Sequence, residues 1–297
     1  MHLFIDIVDA CNKHCPGCYR GVRIMPNQPG KMDIGLFKDI LDKFLTVPTN
    51  KAKVIGLFNW TEPFLHDEIP LFVQACTDRK LRCTISSNFA LPKIEPLIEG
   101  VLKSKLTKLV ISVSGFTDEI YSRYHNKGGC LDNVKSNLEF AASFVKRIKS
   151  KCLTQVHYLD FKYNQHELDL FREYCKSIGV DFLNKQGRGY NDVNECWNTL
   201  PIASFTPKYL KISSDNYSTM AQPCAQIFDM VSVDCRGDVY LCCWMPYLEQ
   251  FKIGNFLQND FGDLLIKRFS HPACVKCGYN RREWNDHDHM RMKDALK

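Results

Sequence analysis

Cys11, Cys15 and Cys18 stand in the run Cys11-Asn12-Lys13-His14-Cys15-Pro16-Gly17-Cys18, a C-x3-C-x2-C spacing that follows directly on the apolar stretch Leu3–Val8. Thiolates are the preferred ligands of iron–sulfur clusters, and three of them leave one iron of a cubane open. That open iron can chelate an incoming amino acid. A short loop at the C-terminal end of a strand lets three sulfurs converge where barrel active sites lie. The competing reading is zinc, which usually takes paired C-x2-C knuckles and a fourth ligand. His14 is the available fourth donor, in an awkward place inside so tight a loop.

A second group, Cys224, Cys235, Cys242, Cys243, Cys274 and Cys277, crowds the last quarter. Its gaps read x17 from Cys224 to Cys242, x31 from there to Cys274, and then a closing C-x2-C. Fifteen cysteines in all, an odd number, cannot all pair as disulfides. Without a basic, apolar and small-residue signal segment at the start, clustered cysteines point to metal or catalysis in a reducing, cytoplasmic setting.

Composition narrows the class. The chain has 297 residues, 45% hydrophobic and 24% charged, as expected of a globular protein with a full core. No apolar run approaches the roughly 18 residues a bilayer requires, so no membrane partner is expected. A formal charge of +6 is spread out, with no basic stripe interleaved with aromatics, which disfavours nucleic acid as a partner.

These cysteines need elements to position them. Strand-like runs at Leu3–Val8, Val54–Phe58, Cys83–Ser86, Leu109–Val113, Thr154–Leu159 and Val180–Leu183 alternate with helical patterns at Ile34–Leu45, Ile69–Asp78, Ile94–Lys103, Leu131–Lys149 and Glu167–Ile178. Leu36, Phe37, Ile40, Leu41 and Phe44 repeat at helical spacing, and Gly179 stands where a C-cap is expected. Such alternation means a parallel sheet with right-handed crossovers. A closed barrel needs about 250 residues, yet the alternation stops near residue 185, so the expectation is α/β, a partial (β/α)6 TIM-like barrel. A loop-like stretch follows, then a β-hairpin around Arg236-Gly237 and a helix at Asp260–Phe269, a small α+β subdomain. The predicted boundary divides the chain into 1–205 and 206–297.

From here the sequence resembles the radical S-adenosylmethionine (SAM) superfamily. After the cysteine loop, Phe58-Asn59-Trp60-Thr61-Glu62-Pro63 resembles the family's Gly-Gly-Glu-Pro motif, Ser86-Ser87-Asn88 its Thr-Asn-Gly stretch with Phe89 in place of Gly, and Ser112-Val113-Ser114-Gly115 its Ser-Leu-Asp-Gly. The resemblance covers roughly residues 1–185 and implies a 4Fe-4S cluster on Cys11, Cys15 and Cys18. It further implies SAM contacts at Glu62, through a charge-assisted bond to the ammonium, and at Thr61, Asn88, Ser112, Ser114 and Tyr19. Tyr19 takes the place of an aromatic usually found before the third cysteine, while Arg123 or His125 stands in for an Arg that relatives use on SAM. The last quarter resembles the family's truncated SPASM or twitch extension, including Gly254-Asn255. That implies an auxiliary 4Fe-4S cluster on Cys224, Cys242, Cys274 and Cys277. Cys243 is the alternative to Cys242, since neighbours on a strand point opposite ways. A structural zinc site is the rival reading there.

Other cysteines are by default small buried hydrophobes, with Cys130 or Cys235 as alternative hydrogen-atom donors. His287 and His289 read as a solvated tail. The implied activity is reductive cleavage of SAM to a 5′-deoxyadenosyl radical, which takes a hydrogen atom from substrate. An auxiliary cluster with four protein ligands favours net oxidation, such as dehydrogenation of an alcohol or other small polar metabolite. Maturation of a ribosomally made peptide and modification of a nucleotide, sugar or nucleic-acid base are the other outcomes. An electron donor such as flavodoxin or ferredoxin is implied. From a different class, a zinc-binding interaction module would hold zinc alone and cleave no SAM.

Overall fold

The computed structural model describes residues 1–23, 25, 27–125, 130–186 and 226–275. Six parallel strands run in order across the sheet: β1 (His2–Ile5), β2 (Val54–Gly56), β3 (Arg82–Ser87), β4 (Lys108–Val113), β5 (Leu153–Asp160) and β6 (Asp181–Gln186). The connecting helices are α1 (Ile34–Thr46), α2 (Ile69–Asp78), α3 (Glu95–Lys103), α4 (Asp118–Tyr124), α5 (Leu131–Arg147) and α6 (Leu168–Ile178). This is the partial (β/α)6 TIM-like barrel the alternation predicts.

Local chemistry sets the helix ends. Asp33 caps α1 by accepting from the backbone N–H groups of Gly35 and Leu36. The helical repeat then buries Phe37, Ile40, Leu41 and Phe44, each side chain contributing about 1.5–3 kcal/mol through its apolar area. Gly179 ends α6 at φ 75°, a left-handed conformation that costs glycine least. Along β3 and β5 burial alternates, so that Cys83, Ile85, Val156 and Tyr158 face the helices while Thr84, Ser86, Gln155 and His157 face the inside of the barrel.

The remaining strands extend the same sheet. After α7 (Gln226–Asp229), β7 (Met230–Val233) runs parallel to β1, with Met230 opposite His2 and Val233 opposite Ile5. Next, β8 (Asp238–Tyr240) and β9 (Lys252–Asn255) add antiparallel neighbours, giving the order β6-β5-β4-β3-β2-β1-β7-β8-β9. The helices α8 (Phe261–Ser270) and α9 (Pro272–Val275) follow. The expected hairpin is therefore present, but it is a direct hydrogen-bonded continuation of the barrel at β1.

Some element ends differ from expectation. β1 stops at Ile5, because the buried Asp6 turns its carboxylate to another loop, and Val8 makes only an isolated bridge to Lys31. Besides the four-residue helices α7 and α9, two elements without a readable pattern also form. The first, α4, has seven residues and is capped by the Thr117 side chain; the second, β9, is a four-residue strand. Both are too short for a periodicity to be seen.

Candidate active site

The cysteine loop and the Glu62, Asn88 and Ser112 motifs stand at or beyond the C-terminal ends of β1 to β4, where open α/β sheets and barrels place their chemistry. Another residue there is one the sequence reading missed. Asp6, an acid inside an otherwise apolar strand sequence, is 1% exposed. Its carboxylate accepts from the N–H of Asn59 (2.8 Å) and of Trp60 (2.9 Å) and from the Thr61 hydroxyl (2.6 Å). Thr61 thus uses its hydroxyl to tie the motif loop to the end of β1.

Glu62 is buried next to it and locks β2 to β3. Its Oε1 accepts from the Phe64 N–H (3.1 Å) and the Ser87 hydroxyl (2.7 Å), and its Oε2 from the Asn88 N–H (2.8 Å). Burial pushes the carboxyl up to about 7 against these stabilising hydrogen bonds. Asn88 in turn donates to Asn12 Oδ1 (2.8 Å) and lies 3.8 Å from the Cys11 sulfur, so β3 touches the cysteine loop. Phe89 follows in the left-handed region at φ 57°. That costs about 1–2 kcal/mol for a residue with a Cβ. The ring offsets it by full burial against Phe64, with ring centres 5.5 Å apart.

In the cysteine loop, Cys11, Cys15 and Cys18 are free thiols within electrostatic reach of one another. Burial pushes Cys11 up to about 12, and the Glu62 charge adds to this; Cys15 and Cys18 are raised by burial too. A bound iron would displace those protons, as thiolate ligation requires. Among the described residues no three His, Cys, Asp or Glu side chains form a ready-made metal site. The fit to a cluster rests on donor chemistry instead: three thiols on one loop, with an N–H from Lys13 on the Cys11 sulfur at 3.5 Å.

Lys13 is the second residue that spacing alone did not single out. Its side chain is buried inside the loop, where Nζ donates to the His125 carbonyl (3.1 Å) and lies 4.9 Å from the centre of the Tyr121 ring. Tyr121 stacks on His125 at 4.7 Å. Its hydroxyl is buried with no hydrogen-bond partner among the described residues, within electrostatic reach of Cys15 and Glu62. Ser114 is fully buried, its hydroxyl 2.8 Å from His125 Nδ1 and 3.4 Å from the Tyr121 carbonyl, while Ser112 is half-exposed on β4. Burial depresses His125 to about 3, so it is neutral. Arg123 is exposed and stacks on Tyr163 at 4.7 Å, and Tyr163 in turn lies within electrostatic reach of Cys15. Tyr19 is buried edge-on to Trp60, ring centres 5.0 Å apart. Cys130 is exposed at the start of α5, within electrostatic reach of Lys13, and Cys235 is buried on the hairpin turn.

Of the C-terminal cysteines, Cys224 and Cys277 lie outside the described residues. Cys242, Cys243 and Cys274 are half-buried. The Trp244 N–H points at the Cys242 sulfur (3.4 Å), whereas the Cys243 thiol lies 3.0 Å from the Met230 sulfur. Among the described residues no helix is long and apolar enough to cross a membrane.

Comparison with known proteins agrees on the fold. The family described as Radical SAM superfamily matches residues 5–174, more than half of the chain. Among solved structures the chain is similar to native anSMEcpe with bound AdoMet, at 15% identity and TM-score 0.60, covering 100% of this chain and 84% of that one. It is likewise similar to Streptococcus suis SuiB bound to precursor peptide SuiA, at 17% identity and TM-score 0.64, with coverages of 96% and 68%. A third is BtrN in complex with AdoMet and 2-DOIA, at 13% identity and TM-score 0.52, with coverages of 93% and 87%. No curated protein sequence matches the chain.

Proposed function

The chain belongs to the radical SAM superfamily, and from that premise we propose that it reductively cleaves SAM to a 5′-deoxyadenosyl radical and abstracts a hydrogen atom from a small polar substrate in a net oxidation, such as alcohol dehydrogenation. The observation that supports this most is the joining, at the ends of β1 to β4, of three thiols, the Glu62 lock and the buried Tyr121 hydroxyl, which has no hydrogen-bond partner among the described residues.

In this reading Cys11, Cys15 and Cys18 would hold the 4Fe-4S cluster, which would supply an open iron for SAM and the one-electron reduction of its sulfonium. Tyr121 offers its buried hydroxyl to a polar group of SAM. Lys13, pinned between His125 and the Tyr121 ring, places a positive charge beside the thiolates and the SAM carboxylate. Glu62 has both oxygens on protein donors, so it acts on the ammonium through its charge and by shaping the Thr61 backbone. Asn88 reaches the cluster side. Ser112 is the accessible β4 hydroxyl, since Ser114 is committed to positioning His125. Tyr19 supports Trp60 beside the adenine.

An auxiliary 4Fe-4S cluster on Cys224, Cys242, Cys274 and Cys277 would accept the substrate electron, in a truncated SPASM or twitch segment. The Trp244 N–H aimed at the Cys242 sulfur favours Cys242 over Cys243, because iron–sulfur thiolates commonly accept such bonds. A cytoplasmic flavodoxin or ferredoxin would supply the reducing electron. The second reading is a peptide maturase, favoured by the likeness to SuiB bound to its precursor peptide. Anaerobic reconstitution tests the core of this: about eight irons per chain are expected, with deoxyadenosine formed from SAM and dithionite. Deuterium transfer from labelled alcohols or from peptides into deoxyadenosine separates the two readings. Zinc alone, with no deoxyadenosine, would sink both.

A further inference from the structure

We propose that Arg236, on the turn of the C-terminal hairpin, is a positioning residue for the N-terminal cysteine loop: it clamps Asp9, and through Asp9 fixes the segment that presents Cys11, Cys15 and Cys18. The clamp rests on the reading of those cysteines as cluster ligands.

Asp9 is the knot that closes the loop. Its N–H donates to the Gly30 carbonyl (2.8 Å), and its own carbonyl accepts from the Gln28 N–H (2.8 Å) and from Arg20 Nη1 (3.0 Å). Arg20, with its side chain 1% exposed, also pairs through Nη2 with Asp9 Oδ1 at 2.6 Å. Residues 9 and 20 thus bracket all three cysteines with a buried ion pair. That leaves Asp9 Oδ2, which accepts from Arg236 Nη2 at 2.9 Å across a sequence separation of 227.

The guanidinium is itself held from the hairpin side. Its Nη1 lies 3.3 Å from Asp234 Oδ2, and Asp234 is buried, with its Oδ1 accepting from the N–H groups of Arg236 (2.9 Å) and Asp238 (3.0 Å). Turn and loop also meet in direct packing. A Cβ added to Gly30 would lie 2.9 Å from the Cys235 sulfur and 3.2 Å from Asp9 Cβ, so a side chain there would crowd the turn against the loop.

An exposed ion pair is worth little. Here the guanidinium is half-exposed but the carboxylates of Asp9 and Asp234 are nearly buried, and removing it leaves Asp9 to Arg20 and Asp234 Oδ2 to the Tyr240 hydroxyl at 3.4 Å. The hairpin therefore controls the first cluster by a salt bridge, whether or not the C-terminal cysteines hold metal of their own. Removing groups hydrogen-bonded to metal ligands commonly changes metal affinity by about 10- to 100-fold, and a clamp one step further out is expected at the low end of that range.

The test uses the full chain carrying C242A and C274A, so that the N-terminal cluster dominates, reconstituted anaerobically. Iron release to a colorimetric chelator and the thermal midpoint are measured for this parent and for added R236A, R236K or N255A. Asn255 is the control: it supports the same turn by donating to the Arg236 carbonyl (3.3 Å) and Asp238 (3.1 Å), at no contact with Asp9. R236A is expected to release iron about tenfold faster, R236K to fall between, since one ammonium cannot span Asp9 and Asp234, and N255A to stay near the parent. Parent-like release from R236A overturns the clamp, as does equal acceleration by N255A at the same thermal midpoint. A parent that takes up no iron fails differently: it removes the cluster reading, and the clamp with it.

Discussion

The two cysteine groups are assembled by opposite means. Cys11, Cys15 and Cys18 lie on one short loop whose ends are fixed by a buried Asp9–Arg20 pair and whose interior is pinned by Lys13. Cys242 and Cys274, by contrast, come from segments 32 residues apart, one just after β8 and one in α9, and each is half-buried against the core. The first group is defined by neighbours in sequence and steadied by charge; the second depends on long-range packing. The difference teaches that an N-terminal loop with local ligands still needs the distant hairpin, because Arg236 completes the ion pairing of Asp9.

The sharpest way to break this contrast is to delete one group at a time. C11A/C15A/C18A should abolish deoxyadenosine formation and remove about four of about eight irons. C242A/C274A should also remove about four while SAM cleavage without substrate persists. If the second variant abolishes cleavage as fully as the first, the two sites are not separable.

A smaller but still large effect is expected where the loop meets the motif after β2. D6A strands the N–H groups of Asn59 and Trp60 and the Thr61 hydroxyl. Loss of hydrogen bonds to a buried charge should cost several kcal/mol, about 1.5–3 for each bond, read as a lower urea midpoint with an unchanged m-value. A midpoint equal to that of the native chain would show that Asp6 does not hold the motif.

pH gives a finer probe of the buried side of the site. His125 is depressed to about 3, from an ordinary 6.5. Between those values the unfolded chain takes up a proton that the fold refuses. The stabilisation is thus complete above about pH 6.5 and declines as pH falls toward 3, with a slope approaching 1.4 kcal/mol per unit. Urea midpoints between pH 7.5 and 4.5 should fall more steeply for the native chain than for H125Q. Parallel curves would place His125 in water.

The smallest expected effect is at Tyr121. Y121F removes one donor and keeps the stacked ring, so SAM should bind about three- to tenfold more weakly, in line with one neutral hydrogen bond. Equilibrium binding to the reconstituted protein reads this directly, and unchanged affinity would take the hydroxyl out of the SAM site.

Much of this was legible in the residues. The cysteine spacing, the strand–helix alternation and the motifs at Glu62, Asn88 and Ser112 are local patterns, and each falls at a strand end as expected. Asp6, Lys13 and Arg236 were not legible, because their partners lie far along the chain: Asp6 with Asn59 to Thr61, Lys13 with His125, Arg236 with Asp9. An acid in an apolar strand was the one available signal, and it named no partner. Ser114 reads as a SAM contact by its place in a motif; that its hydroxyl meets His125 and the Tyr121 carbonyl was not legible there.

By itself the sequence determined the donor atoms and the helix and strand periods, since thiol spacing, caps and hydrophobic repeats act over a few residues. Only the tertiary structure decided which buried charges face one another and that β7 lies against β1. Those outcomes depend on how much water each group loses when distant segments pack together, and no local pattern encodes that loss.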